Sequence, residues 1–164
     1  GLWSGGSHMV DLLRWFLGDV KWAVGHVRGP CAEDGFEPGY DAHLWFADDV
    51  TASLHAVDIR QYVRFDLTVF GEEGILALDE AGLRARWGKA EASYPLAGGY
   101  RHVVEADGLH APPTTFLGEM TAHAVAVLDG TEAPASTGED GLACVRVLEA
   151  IERSSRAGGS LIVP

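Results

Sequence analysis

Apolar positions recur at helical spacing over residues 7–18. At about 100° per residue, Met9, Val10, Leu12, Leu13, Phe16 and Leu17 share one arc, with His8, Asp11 and Trp15 along its border. An amphipathic helix is therefore predicted, with Ser4 or Ser7 as its cap and Gly18 as its stop. Residues 20–27 read as a strand leading through Gly29-Pro30 into the Pro/Gly/acid-rich stretch CAEDGFEPG. The period then changes to two. Residues 41–46 and 50–57 alternate on either side of an Ala47-Asp48-Asp49 turn, with Thr51, Ser53 and His55 opposite Ala52, Leu54 and Ala56. In residues 63–70, Val63, Phe65, Leu67 and Val69 oppose Arg64, Asp66 and Thr68, which predicts one dry face and one wet one. Gly71-Glu72-Glu73-Gly74 turns the chain into a strand over 75–78, and Asp79-Glu80-Ala81-Gly82 turns it into another over 83–87.

The segment 89–113 has little periodicity apart from a short strand over 100–105. Two helices follow. The first spans about 115–128, with Phe116, Met120, Ala124, Val127 and Leu128 on one face. The second is capped by Thr137 with Asp140 three residues on, and carries a stripe of Leu142, Val145, Leu148 and Ile151. Glu149 and Glu152 stand four residues before Arg153 and Arg156, Gly158-Gly159 ends this helix, and residues 161–163 can add a last strand. These elements make an α+β domain: a large, mostly antiparallel open sheet with helices packed on one face. The polar side of the sheet, with Thr51, Ser53, His55, Arg64, Asp66 and Thr68, is either a solvated face or one that pairs with another sheet or closes over a ligand.

At 164 residues the chain is one domain by size, able to fold without staples. Cys31 and Cys144 are far apart and lack C-x-x-C spacing, which argues against a disulfide framework and a zinc site. A net charge of −12 speaks against phosphate-backbone binding, so no nucleic-acid partner is expected. No apolar run approaches the roughly 20 residues that span a bilayer. No membrane partner is expected, and a cytoplasmic location is. The first residue is not Met and already lies inside a packed pattern, so the chain is expected to be a piece of a longer protein.

The chemistry-bearing candidates are few. A glycine-rich approach delivers His8 near a helix start, where free N–H groups and the positive dipole end favour a neutral ring suited to hydrogen bonding or proton transfer. An equally good reading makes His8 a partly buried residue satisfied by the backbone. Tyr100, Arg101, His102 and His110 are candidates to line a cleft because long loops are often functional. Glu119 and His123 share a helix face, but a metal needs three or four converging ligands and none is expected to bind here. There is no G-x-S-x-G elbow for a nucleophile and no G-x-G-x-x-G between a strand and a helix for a dinucleotide.

The blocks GGSHMVDLLRWFLGD, VFGEEGILAL, FLGEMTAHAVAVLDG and TGEDGLACVRVLEAIERSSRAGGSLIVP, in this order, resemble the C-terminal domain of the Gfo/Idh/MocA oxidoreductase family. The resemblance implies that residues 1–164 are a single substrate-binding and oligomerisation domain. Its NAD- or NADP-holding Rossmann domain would be absent from the chain, and the isolated chain inactive. It implies a sugar, polyol or related hydroxyl substrate and a homo-oligomer formed through the sheet face. His8 then takes the position of the family's catalytic histidine, with Ser4, His8 and Tyr100 as substrate contacts. Many members carry an aspartate where Ser4 stands, and serine cannot supply the charge that stabilises an imidazolium. Asp11 has a family counterpart too, for which a structural role in the helix is expected. A non-catalytic binding or scaffold module that keeps the fold as a dimer-forming sheet is the alternative.

Overall fold

The computed structural model describes residues 1–29, 37, 39–58, 60, 62–92, 99–106 and 116–164. A π-helical turn, Leu2–Gly6, runs directly into α1, Ser7–Leu17. Strands follow in the order β1 Trp22–Val27, β2 Tyr40–Trp45, β3 Thr51–Ala56, β4 Leu67–Gly71, β5 Gly74–Asp79, β6 Arg84–Ala92 and β7 Arg101–Ala106. Helices α2, Phe116–Leu128, and α3, Gly138–Arg156, close the chain. The class is α+β with antiparallel pairing throughout, and the strands fall into two sheets, β1-β2-β3 and β4-β5-β6-β7. The chain forms two compact units, Gly1–Tyr62 with Ala124–Pro164, and Val63–His123.

The first unit holds the core. Leu2, Val10 and Leu13 of the N-terminal helical stretch are buried, as are Ala23, Ala42, Leu44 and Leu54 of the sheet and Val147, Leu148 and Ile151 of α3. Helix α3 lies against β1 so closely that a Cβ on Gly25 would stand 2.5 Å from Ile151 Cγ2 and 2.7 Å from the Ile151 carbonyl oxygen. This contact also disposes of the free edge of β1. The N–H of Gly25 donates to Ser154 Oγ at 2.9 Å, the N–H of Val27 donates to Ser155 Oγ at 2.9 Å, and Ala23 forms an antiparallel bridge with Ile162. An edge strand thus loses the donors that would otherwise invite foreign pairing. Buried Ser154 is satisfied because its hydroxyl donates onward to the Ser160 carbonyl at 2.6 Å. The strand expected over 161–163 is reduced to that single bridge.

The Ala47-Asp48-Asp49 turn forms as expected, with Asp48 and Asp49 at φ 54° and 56°, the left-handed conformation a tight hairpin demands and aspartate tolerates. Thr137 caps α3: Asp140 N–H donates to its Oγ1 at 3.3 Å, and Thr137 N–H donates to Asp140 Oδ2 at 2.9 Å. The Thr137 hydroxyl, which donates to Asp140 Oδ2 at 2.8 Å, and then the Thr137 N–H hold the Asp140 carboxyl below the usual carboxylate range.

Several expectations are corrected. The buried face of α3 comprises Cys144, Val147, Leu148, Ala150, Ile151 and Ser154, whereas Leu142 and Val145 are exposed. Leu148 and Ile151 of the expected stripe are thus inside, and Ile151 is the residue that meets Gly25. Phe16 is exposed on α1, and no residue of α2 is buried. Strand β4 begins at Leu67 rather than Val63, and its predicted dry face is half-covered or open, Val63 being 82% exposed. In the second unit Ala77 is the only buried apolar side chain among the described residues.

Candidate functional site

The N-terminal stretch places Ser4 and His8 on one continuous helical run, both exposed. The expected serine cap does not form. Because the helical run starts at Leu2, His8 is a full turn inside it. Its backbone is not at a free N-terminus, and the dipole argument for a neutral ring does not apply. The Ser7 hydroxyl donates back to the Ser4 carbonyl at 2.6 Å instead. The capping role falls to Glu37, whose Oε2 accepts the N–H groups of Trp3 at 2.9 Å and Ser4 at 3.3 Å. Sequence spacing could not reveal this, since α1 and β1 both lie between the N-terminal turn and Glu37.

Two contacts seat this run on the unit. Trp3 Nε1 donates to Glu152 Oε1 of α3 at 2.8 Å, and Gly6 passes over buried Tyr40, where a Cβ would lie 2.7 Å from the Tyr40 hydroxyl. Burial, with a contribution from Glu37, pushes the Tyr40 phenol up to about 12. Arg14 donates to the Asp140 carbonyl at 3.0 Å and pairs with Asp19 at 2.7 Å, so α1 and α3 are tied at their far ends as well. Cys144 is free and buried, its thiol 3.4 Å from the Ser7 carbonyl and pushed up chiefly by burial. Tyr100 is 70% exposed just before β7 in the second unit, together with Arg101 and His102 of that strand. His110 and Cys31 lie outside the described residues. No cluster of His, Cys, Asp or Glu suited to a metal occurs among the described residues.

A second constellation covers the outer face of the first sheet. Strand register brings Trp22, Val24 and His26 of β1 beside Asp41, His43 and Trp45 of β2 and Thr51, Ser53 and His55 of β3. Trp22 and Trp45 stack at 3.6 Å between ring centroids, and His43 meets Trp45 edge-on at 4.1 Å. His43 Nδ1 is 2.7 Å from Ser53 Oγ. His55 Nδ1 donates to Asp41 Oδ1 at 2.9 Å, while Arg28 donates from Nε and Nη2 to Asp41 Oδ2 at 3.1 and 2.5 Å. These bonds, that of His55 foremost, hold the Asp41 carboxyl below its usual range. The face forms an open concavity of about 620 Å³ that reaches Ser155, Gly158 and Gly159 at the edge of β1. The polar face expected to run from Thr51 to Thr68 is divided, with Thr51, Ser53 and His55 in the first sheet and Arg64, Asp66 and Thr68 in the other unit. His26, Asp41 and His43 were not singled out because a pairing register, which local periodicity does not specify, puts them beside His55.

Residues 1–77 match the sequence profile of the GFO/IDH/MocA C-terminal domain. Solved structures agree in fold. The WlbA dehydrogenase from Bordetella pertussis, in complex with NADH and UDP-GlcNAcA, aligns over 99% of this chain and 44% of its own at a TM-score of 0.72 and 21% identity. An NAD-binding protein from Listeria innocua aligns over 99% and 51%, at 0.69 and 18%. An aldose-aldose oxidoreductase from Caulobacter crescentus, complexed with glycerol, aligns over 97% and 46%, at 0.67 and 21%. The chain thus spans about half the length of these solved structures. No curated protein matches it. No helix among the described residues is long and apolar enough to cross a membrane.

Proposed function

We propose that this chain is the substrate-binding and self-associating domain of an NAD(P)-dependent oxidoreductase acting on a sugar, polyol or related hydroxyl compound. The observation that carries this reading is the profile match over residues 1–77, which contains the helical run presenting His8 and Ser4 to solvent. The nicotinamide nucleotide is assigned to a separate domain, because the chain's own residues do not fit it. Among the described residues no glycine-rich loop joins a strand to a helix. The N-terminal helical run and α3 both have backbone donors occupied by carboxylates, Glu37 and Asp140, where a pyrophosphate would need open N–H groups and no competing anion.

In this reading His8 takes the hydroxyl proton when the carbinol carbon of the substrate gives up hydride, and returns it in the reverse direction. Ser4, four residues earlier, hydrogen-bonds the substrate or the ring without supplying charge. Self-association uses the outer face of β1-β2-β3. With neutral histidines the Arg28–Asp41 pair leaves that face without net charge, while the whole chain carries −12. Two copies can meet there without the repulsion that opposes contact elsewhere. A non-catalytic scaffold is the second reading, favoured by Ser4 in the place of an acid.

Calorimetry of the chain with NAD and NADP tests the division of labour. Dissociation constants no better than about millimolar are expected without a phosphate-binding helix terminus. A micromolar constant for either nucleotide would contradict the domain assignment.

A further inference from the structure

We propose that the exposed aromatic ridge of α1, Trp15 and Phe16 with Leu12 beside them, is the surface on which the nucleotide-binding domain docks; this rests on the reading above that assigns the nicotinamide to a separate domain. Helix α1 is amphipathic, and Val10 and Leu13 on its inner side are buried. The opposite side carries His8, Asp11 and Trp15, with Leu12 and Phe16 along its flank. Large apolar rings gain nothing from facing water, yet Trp15 is 76% and Phe16 54% exposed. The two rings lie together, their centroids 5.0 Å apart and their planes tilted by 46°. Half-buried Leu12 adjoins both from one turn back. Single exposed apolar residues are common on any protein, but a contiguous group built on a tryptophan has the composition of an interface centre.

The position of His8 decides which partner covers the ridge. A group that exchanges a proton with the substrate hydroxyl lies within hydrogen-bond reach of it, and hydride leaves the adjoining carbon for a nicotinamide ring in near contact. The surface that holds this ring must therefore come within about 10 Å of the His8 imidazole. Trp15 follows His8 by two turns on the same side of the helix, about 10 Å along the axis, and long helical side chains lean back toward the N-terminus. A domain that brings a nicotinamide to His8 thus comes down on Trp15 and Phe16. The chain spans about half the length of the solved structures that share its fold, and the other half is the size of a further domain. A second copy of this chain does not suit the ridge, because seated there it would close His8 off from the nucleotide.

Hydroxyl-radical footprinting of the full-length enzyme, read residue by residue by mass spectrometry, tests this alongside calorimetry with NADH as the probe. Both rings should be protected in the unaltered enzyme, at high and low micromolar concentration alike. Trp15→Glu puts a charge into the contact and should raise the reactivity of Phe16 by about tenfold or more, the effect of losing an anchoring aromatic. Phe16 is already more than half exposed beside Trp15 in this chain, so removal of that neighbour could not by itself give such a rise. The dissociation constant of NADH should stay unchanged, since the domain that holds it is intact. Phe16→Glu, read at Trp15, stands in should Trp15→Glu fail to fold. Full reactivity of both rings in the unaltered enzyme, with NADH still bound, overturns the docking surface and leaves the reading beneath it standing. Protection that disappears on dilution assigns the ridge to a second copy and overturns it as well, as does protection that survives both glutamate variants. A full-length protein with no measurable affinity for NADH overturns the docking surface and that reading together.

Discussion

Tyr40 illustrates how one side chain organises the stretch that carries His8. Its ring fills the floor under Gly6, and its hydroxyl occupies the space a Cβ at that position would take. The N-terminal run can approach Tyr40 this closely only because residue 6 is glycine, and Ser4 and His8 of that run face outward. Burial raises the Tyr40 phenol to about 12, against an ordinary tyrosine value of about 10. The native state therefore holds its proton where the unfolded chain has lost it. Stability from this term is complete below about pH 10 and declines as the pH rises toward about 12. A spectrophotometric titration at 295 nm should show one of the four tyrosines ionising only near the upper end of that window, together with loss of native circular dichroism. Ionisation of every tyrosine in one step near pH 10 with the fold intact would contradict the buried placement.

Among the elements, the pairing of β1 with α3 decides most. Gly25 would read in isolation as a weak point in a strand. In the structure it is the position at which the α3 backbone touches the sheet, with Ser154 and Ser155 receiving the donors of the strand edge. Gly25→Ala should push α3 off β1 and cost about 3 kcal/mol, the upper range for overpacking a core. That corresponds to a fall of roughly 10 °C in Tm, measured by thermal denaturation; a change under about 1 °C would show that the interface is not close-packed. The same elements mark the limits of sequence reading. The cap of α3 was legible because Thr137 and Asp140 are three residues apart, and the β2–β3 hairpin because Asp48 and Asp49 are the turn. Local chemistry decides both. The face α3 buries was legible in part: Leu148 and Ile151 are inside as the stripe predicts, whereas Leu142 and Val145 are exposed and Cys144, Val147, Ala150 and Ser154 complete the buried side. The start of the first helix was not legible. Glu37 caps it from a distant part of the chain, so the nearby serines are free for other bonds. The dry face assigned to residues 63–70 failed for a related reason: alternation shows which side chains share a face but does not supply the surface that covers them.

At the level of the whole molecule, the two units differ in how far they are completed by the chain itself. The first has a continuous core from Leu2 to Ile151, while the second leaves Phe70, Leu83, Tyr100, Val103 and Leu117 exposed. The chain spans about half the length of the solved structures that share its fold, and under the proposed reading a nucleotide-binding domain makes up the rest. His8 then faces a substrate held between the two domains, and its replacement is the direct test. In the full-length enzyme His8→Ala should lower the turnover rate by a factor of about a hundred to ten thousand. Nucleotide affinity and Tm should stay nearly unchanged, and any limb of the pH–rate profile belonging to the histidine should disappear. Ser4→Ala should cost much less, because a serine at that position carries no charge to lose. A folded His8→Ala enzyme with full turnover and an unaltered pH–rate profile would contradict the proton-transfer role and leave His8 as an exposed residue of the first helix.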